Sequence, residues 1–143
     1  MKSFVVAVAF AVFLGGAPAF GQAMLQSVCQ QNFAVEGTAR VTAMNFRTWR
    51  EFPNLAQPTA LNNLRAAMLA EGFSNIGVDA AAGALTAVQE TSGSGRAQTL
   101  RVTARRAGAG TRVDAVFMIQ SGQTADASTV RNALCRIVDS ANL

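Results

Sequence analysis

The chain contains no histidine and no tyrosine, and its only lysine is Lys2. Without histidine there is no Ser-His-Asp triad, no Cys-His pair and no imidazole-ligated zinc. Without a lysine beyond position 2 there is no Ser-Lys dyad or Schiff-base chemistry in a mature chain. Two cysteines, Cys29 and Cys135, are too few and too far apart for a zinc ribbon or a Cys-x-x-Cys redox motif. The glycine-rich stretches Gly93-Ser94-Gly95 and Gly108-Ala109-Gly110 lead into strand patterns, not helix starts, so neither reads as a phosphate cradle. Gly72-Phe73-Ser74-Asn75-Ile76 half-resembles a nucleophile elbow but lacks its second glycine. No cofactor and no metal site is expected.

Long apolar runs are missing too. The longest, Phe4 to Leu14, is eleven residues, and a bilayer span needs about 20. It follows Met1-Lys2-Ser3 and precedes small residues ending near Gly21-Gln22-Ala23, the layout of a secretory signal peptide. A cut after Ala23 fits best; cuts after Gly21 or Ala19 are the alternatives. The expected organisation is residues 1–23 as signal peptide and 24–143 as one globular domain. The remaining 120 residues suffice for a real core. Periplasmic or secreted localisation follows, with no stable membrane insertion after cleavage.

What remains is mildly basic. Eleven arginines face eight acidic residues in the mature chain. That excess is modest, and the missing lysine and tyrosine raise the pI by themselves, so nucleic acid is not an expected partner. In an oxidising compartment an even cysteine pair reads as a disulfide. Cys29 to Cys135 would tie the start of the mature chain to its last helix.

Residues 24–37 read as a polar lead-in and 38–52 as an extended segment rich in strand-favouring types, ended by Pro53. The alternation there is imperfect and does not assign faces. The spacing of Leu61, Leu64 and Met68, with Leu69 beside them, predicts a helix over 58–71. Pro58 suits its start. Gly72 sits where a left-handed terminating residue belongs, with Phe73 as an apolar clasp. A short strand opens at Ile76 and Val78, and residues 79–83 turn the chain. Ala84–Val88 is then the next strand or the return arm of a hairpin. Ser92-Gly93-Ser94-Gly95 marks a loop. Leu100–Arg105 and Arg112–Ile119 alternate well. Centring their turn between Gly108 and Ala109 sets Ala104 opposite Val113, Val102 opposite Ala115 and Leu100 opposite Phe117. Leu85 then falls near Val102 and Ala87 near Leu100, giving one shared apolar face. Val130, Ala133, Leu134, Ile137, Val138 and Ala141 make the stripe of a final helix over 126–141, with Cys135 at its edge.

The expected fold is an α+β two-layer sandwich: an antiparallel sheet of about four strands, two helices on one face, in the order β-α-β-β-β-α. Its other face should meet solvent and carry Arg101, Arg105 and Arg112. The register sets Arg105 directly opposite Arg112, and like charges so placed destabilise a sheet. An anionic partner would relieve that cost; the simpler reading is a solvated face with Asp114 offsetting the charge. Phe46, Trp49 and Phe52, interleaved with Arg47 and Arg50, are a second candidate binding stretch. Core anchors with snorkelling arginines are its simpler reading. The sequence therefore points to an exported, non-enzymatic binding or scaffolding domain of the bacterial envelope, with an anionic ligand or an envelope protein as partner. The competing reading is a small hydrolase using paired carboxylates, Asp79 and Asp114, with Glu90 also available.

Overall fold

Alternation about a two-residue turn dictates the centre of the fold. In the computed structural model, which describes residues 25–90 and 96–143, Ala107 pairs with Gly110, and Gly108 turns the chain at φ +58°. A glycine at the first central position is what one common hairpin turn requires. From that turn Ala104 meets Val113, Val102 meets Ala115 and Leu100 meets Phe117. Leu85 meets Val102 and Ala87 meets Leu100 on the next strand. The expected apolar face is buried throughout: Leu85, Ala87, Leu100, Val102, Ala104, Val113, Ala115, Phe117 and Ile119 all belong to the core.

The elements are α1 (Val28–Gln31), β1 (Ala34–Glu36), β2 (Met44–Phe52), α2 (Gln57–Ala70), β3 (Ser74–Asp79), β4 (Ala84–Glu90), β5 (Ala97–Ala107), β6 (Gly110–Ile119) and α3 (Ala127–Asp139), closed by a 3₁₀ turn at Ser140–Asn142. The expected sandwich holds, but the sheet has six strands, not about four, and three helices, not two, among the described residues. The strand order is β1-β2-β6-β5-β4-β3, antiparallel throughout. After β2 the chain crosses by way of α2 to the far edge. It then meanders back through β3, β4 and β5 until β6 lies beside β2. The proposed signal peptide at 1–23 and the Ser92–Gly95 loop lie outside the described residues.

Two extra elements come from the polar lead-in. Ser27 and Gln30 form a reciprocal capping box, each side chain bonding the other's backbone N–H, and this closes the one-turn helix α1. β1 is a three-residue edge strand pairing with Asn45–Arg47. Ile76–Val78 and Ala84–Val88 are the two arms of a hairpin, with a register shift in β3 between Ser74 and Gly77. The extended segment at 38–52 becomes strand only from Met44.

α2 and α3 cover one face of the sheet. α2 buries Ala60, Leu61, Leu64 and Met68, while Leu69 is about half exposed and stands outside that stripe. Gly72 ends the helix at φ +89°; the Phe73 N–H bonds the Met68 carbonyl and the Gly72 N–H that of Leu69. Both bonds satisfy carbonyls that a helix end otherwise leaves open, and Phe73 folds back into the core. α3 buries Leu134, Cys135, Ile137 and Val138. Arg136 pairs with Glu71 through two bonds of 2.6 and 2.9 Å, and the Asn63 amide donates to the Ala141 carbonyl, so the two helices are locked side by side.

Cys29 and Cys135 form the expected disulfide, across a sequence separation of 106. A loop this long is worth about 4–5 kcal/mol in the chain-entropy account. Thr48, buried beneath the bond, donates to the Cys29 carbonyl at 2.5 Å, so its hydroxyl is satisfied.

Candidate functional site

No helix among the described residues covers the opposite face of the sheet, and strand parity determines what it displays. On β2 the inward positions are Phe46, Thr48 and Phe52; Arg47, Trp49 and Glu51 point the other way. Arg50 breaks the inward pattern. It is half-buried, pairs with Asp139 of α3 at 2.8 Å and lies 4.7 Å over the Phe52 ring. The aromatic stretch therefore divides. Phe46 and Phe52 are core, Arg50 snorkels past them, and Trp49 belongs to the open face.

The register of β2 against β6 brings the two candidate stretches together. Trp49 sits opposite Asp114, which sits opposite Thr103 of β5. In the neighbouring row Glu51 faces Arg112, which faces Arg105. The Arg112 guanidinium lies 4.2 Å over the Trp49 ring. Asp114 holds it there, accepting from Nε and Nη2 of Arg112 at 2.9–3.2 Å. That bonding pushes the Arg112 pKa further above its usual range, against the opposing effect of burial. Asp114 also takes Arg105 at 3.3 Å. The repulsion between Arg105 and Arg112 is thus relieved inside the protein, by the carboxylate between them.

Arg101 stands apart. It lies four residues from Arg105 along β5, about 13 Å at strand rise. It is exposed, opposite Val116, which in turn faces Arg47 of β2. Arg47 is paired with Glu36 of β1. Arg101 has no ion-pair partner among the described residues. Met118 and Val88, 38 and 39 % exposed, extend the face on the side away from Trp49. On the central strands β5 and β6 this face carries three arginines against one carboxylate.

Beside Trp49 there is a hollow of about 330 Å³, lined by Asn32, Ala34, Arg47, Trp49, Arg112 and Val116 among others. It exists because β1 stops short. β1 pairs only as far as Arg47, so the carbonyl of Trp49 has no strand partner on that side and takes the Asn32 amide at 3.0 Å instead. A larger hollow of about 550 Å³ lies at the start of α2 near Arg106. Its walls are the loop before α2, the first residues of α2 and the β5–β6 turn, and its one charged residue, Arg106, is solvent-exposed.

The carboxylates proposed for hydrolysis do not converge. Asp79 accepts from the Ala82 N–H in the β3–β4 turn, a turn-forming role. Asp114 is held by the two arginines. They share a row across the sheet, but two strands, β4 and β5, lie between β3 and β6, so three inter-strand spacings separate them. At about 4.8 Å per strand that is roughly 14 Å, beyond the roughly 5–9.5 Å that glycosidase pairs span. The side chain of Glu90 lies outside what the structure describes.

Sequence reasoning kept Trp49 and Arg112 as separate features. The alternation of Phe46, Thr48 and Phe52 against Arg47, Trp49 and Glu51 carried the signal for Trp49's orientation, and inward Arg50 concealed it. No protein-family model matches the chain, and no curated protein matches it significantly.

Proposed function

We propose that this is an exported, non-enzymatic binding domain that docks an acidic protein surface of the envelope on its open sheet face. The observation that carries the reading is the placement of the only tryptophan, outside the core, under a guanidinium that is itself fixed by a carboxylate. Tryptophan, arginine and methionine are the residue types that interfaces concentrate, and a rigid stacked pair loses little entropy on contact. The area also fits. Five gaps between strands and about seven residues of length give on the order of 600 Å² of flat surface, close to the roughly 800 Å² each partner gives to a standard interface. The disulfide supports an oxidising compartment.

Trp49 supplies the test, because it is the sole indole and the chain has no tyrosine. Crosslinking and affinity capture of the tagged protein from its native envelope should retain an acidic partner. Adding that partner should shift Trp49 emission, and Arg101→Glu with Arg105→Glu should abolish capture without changing the melting temperature. Capture that survives the double variant overturns this reading.

A further inference from the structure

The helix-covered side of the sheet holds a second feature, which the open face does not explain. Along β4 and β5 the inward pairs are Leu85 with Val102 and Ala87 with Leu100, all fully buried. The next inward pair is Gln89 with Gln98. Gln98 is only 9 % exposed and Gln89 is half-buried. A carboxamide brings two N–H donors and an acceptor oxygen. Among the described residues neither side chain makes a hydrogen bond, and neither carboxamide is sealed from solvent, so both are open to the space beside them.

Both glutamines line a cavity of about 320 Å³ between the sheet and the first turns of α3. Its other walls are mostly apolar, including Phe73, Phe117, Val130 and Leu134. Two carboxylates stand at it, and both are engaged: Glu71 by Arg136, Asp126 by Ser128 and Thr129. Small-molecule sites have this make-up, an apolar lining with a few convergent polar groups, and this volume is at the small end of their range. The carboxylates disfavour an anionic head, and the paired carboxamides suit a group that donates and accepts together.

We infer that this cavity binds a small uncharged molecule, an apolar body of one ring or a short chain bearing one hydroxyl or amide head, with the head on Gln89 and Gln98. The site is separate from the open face, so either proposal can fail alone.

The test uses the disulfide-bonded, nitrogen-15-labelled protein titrated with benzyl alcohol, toluene and benzoate, which share a ring and differ in the head. Benzyl alcohol should give saturable shifts of the Gln89 and Gln98 side-chain amide resonances. Toluene and benzoate should each bind at least tenfold more weakly. Gln98→Leu should erase the preference for the alcohol over toluene while melting no lower than wild type. Ala133→Phe, which fills the cavity from α3, should abolish binding of all three. Equal binding of alcohol and toluene, no saturable binding, or shifts centred elsewhere overturns the inference. So does a Gln98→Leu variant that melts well below wild type, because the carboxamide would then be bonded within the fold.

Discussion

The two faces of this sheet are built from the same strands and differ in what holds them. On the helix side, cohesion is burial: Phe46, Leu64, Leu100, Val102 and Ile137 are each fully buried. On the open side it is pairwise polar geometry: Arg112 on Trp49, Asp114 on Arg112 and Arg105, Glu36 on Arg47. Exposed ion pairs are worth about 0–1 kcal/mol and an exposed cation–π contact about 0.5–1 kcal/mol. The open face is therefore ordered without contributing much to stability, and its residues can be changed for function without unfolding the domain.

The largest effect expected from any single linkage is on the covered side. Replacing Cys29 and Cys135 with serine should lower stability by about 4–5 kcal/mol on the chain-entropy account, read as a drop in the denaturant midpoint. A drop below about 1 kcal/mol would show that α1 and α3 hold together without the bond. Phe46→Ala follows, at about 3–5 kcal/mol, because its ring packs against Phe33 and Phe117 at centroid distances of 6.4 and 6.2 Å. Trp49→Ala is the matched change three positions along the same strand. It should cost about 1 kcal/mol, the scale of the contact with Arg112, while removing capture of the partner. Equal losses at Phe46 and Trp49 would erase the distinction between the faces.

How far each face was legible follows from the same difference. Burial writes a period into the sequence. The alternation from Leu100 to Ile119 fixed both the strands and their register, and the stripes at Leu61–Met68 and Val130–Val138 fixed the helices that cover them. α1 and β1 are too short and polar to write any period, so both were missed, although Ser27 and Gln30 stood at capping-box spacing; the sixth strand came from β3 and β4, whose short run at Ile76 and Val78 left it open whether they were two strands. Arg101, Arg105 and Arg112 were placed on the open face by parity alone. Asp114 was legible as the counter-charge of Arg105 and Arg112, and the structure bonds it to both. The stack of Arg112 on Trp49 needs β2 beside β6, a pairing across α2 and the whole meander, and no local pattern encodes it. Gln89 and Gln98 lay one step beyond the last apolar pair, where a reading by hydrophobicity ends.

A smaller change sharpens the account of the open face. Asp114→Asn keeps the size of the side chain but leaves Arg105 and Arg112 opposed with only Glu51 of β2, beside Arg112, as a counter-charge. The expected loss is about 0.5–1 kcal/mol, with a change in Trp49 emission as Arg112 loosens from the ring. It should also strengthen attraction to an acidic partner at low salt, since three arginines then act unopposed on β5 and β6. Weakened capture at low salt would mean that the partner reads the fixed geometry of the guanidinium rather than its charge.

The smallest expected effect tests the edge of the covered layer, at the first turn of α3. Asp126 caps that helix, accepting from the Thr129 N–H at 2.8 Å and from the hydroxyls of Ser128 and Thr129. These bonds, led by the Ser128 hydroxyl, lower its pKa from 3.8 to about 2. A carboxyl depressed in the folded state stabilises the fold above its unfolded pKa, and that contribution is lost as pH falls from about 4 through about 2. Glu71 is depressed as well, chiefly by its bond to Arg136, and adds loss of the same sign on acidification. Asp126→Asn retains a cap acceptor but cannot titrate. The variant should melt somewhat below wild type at neutral pH, where the charged cap also favours the positive end of the helix. The difference should close as pH drops through that window. Parallel melting curves at all pH values would mean that the cap acts through geometry alone. The acid limb of stability would then belong to Glu71 and Arg136, the pair joining α2 to α3.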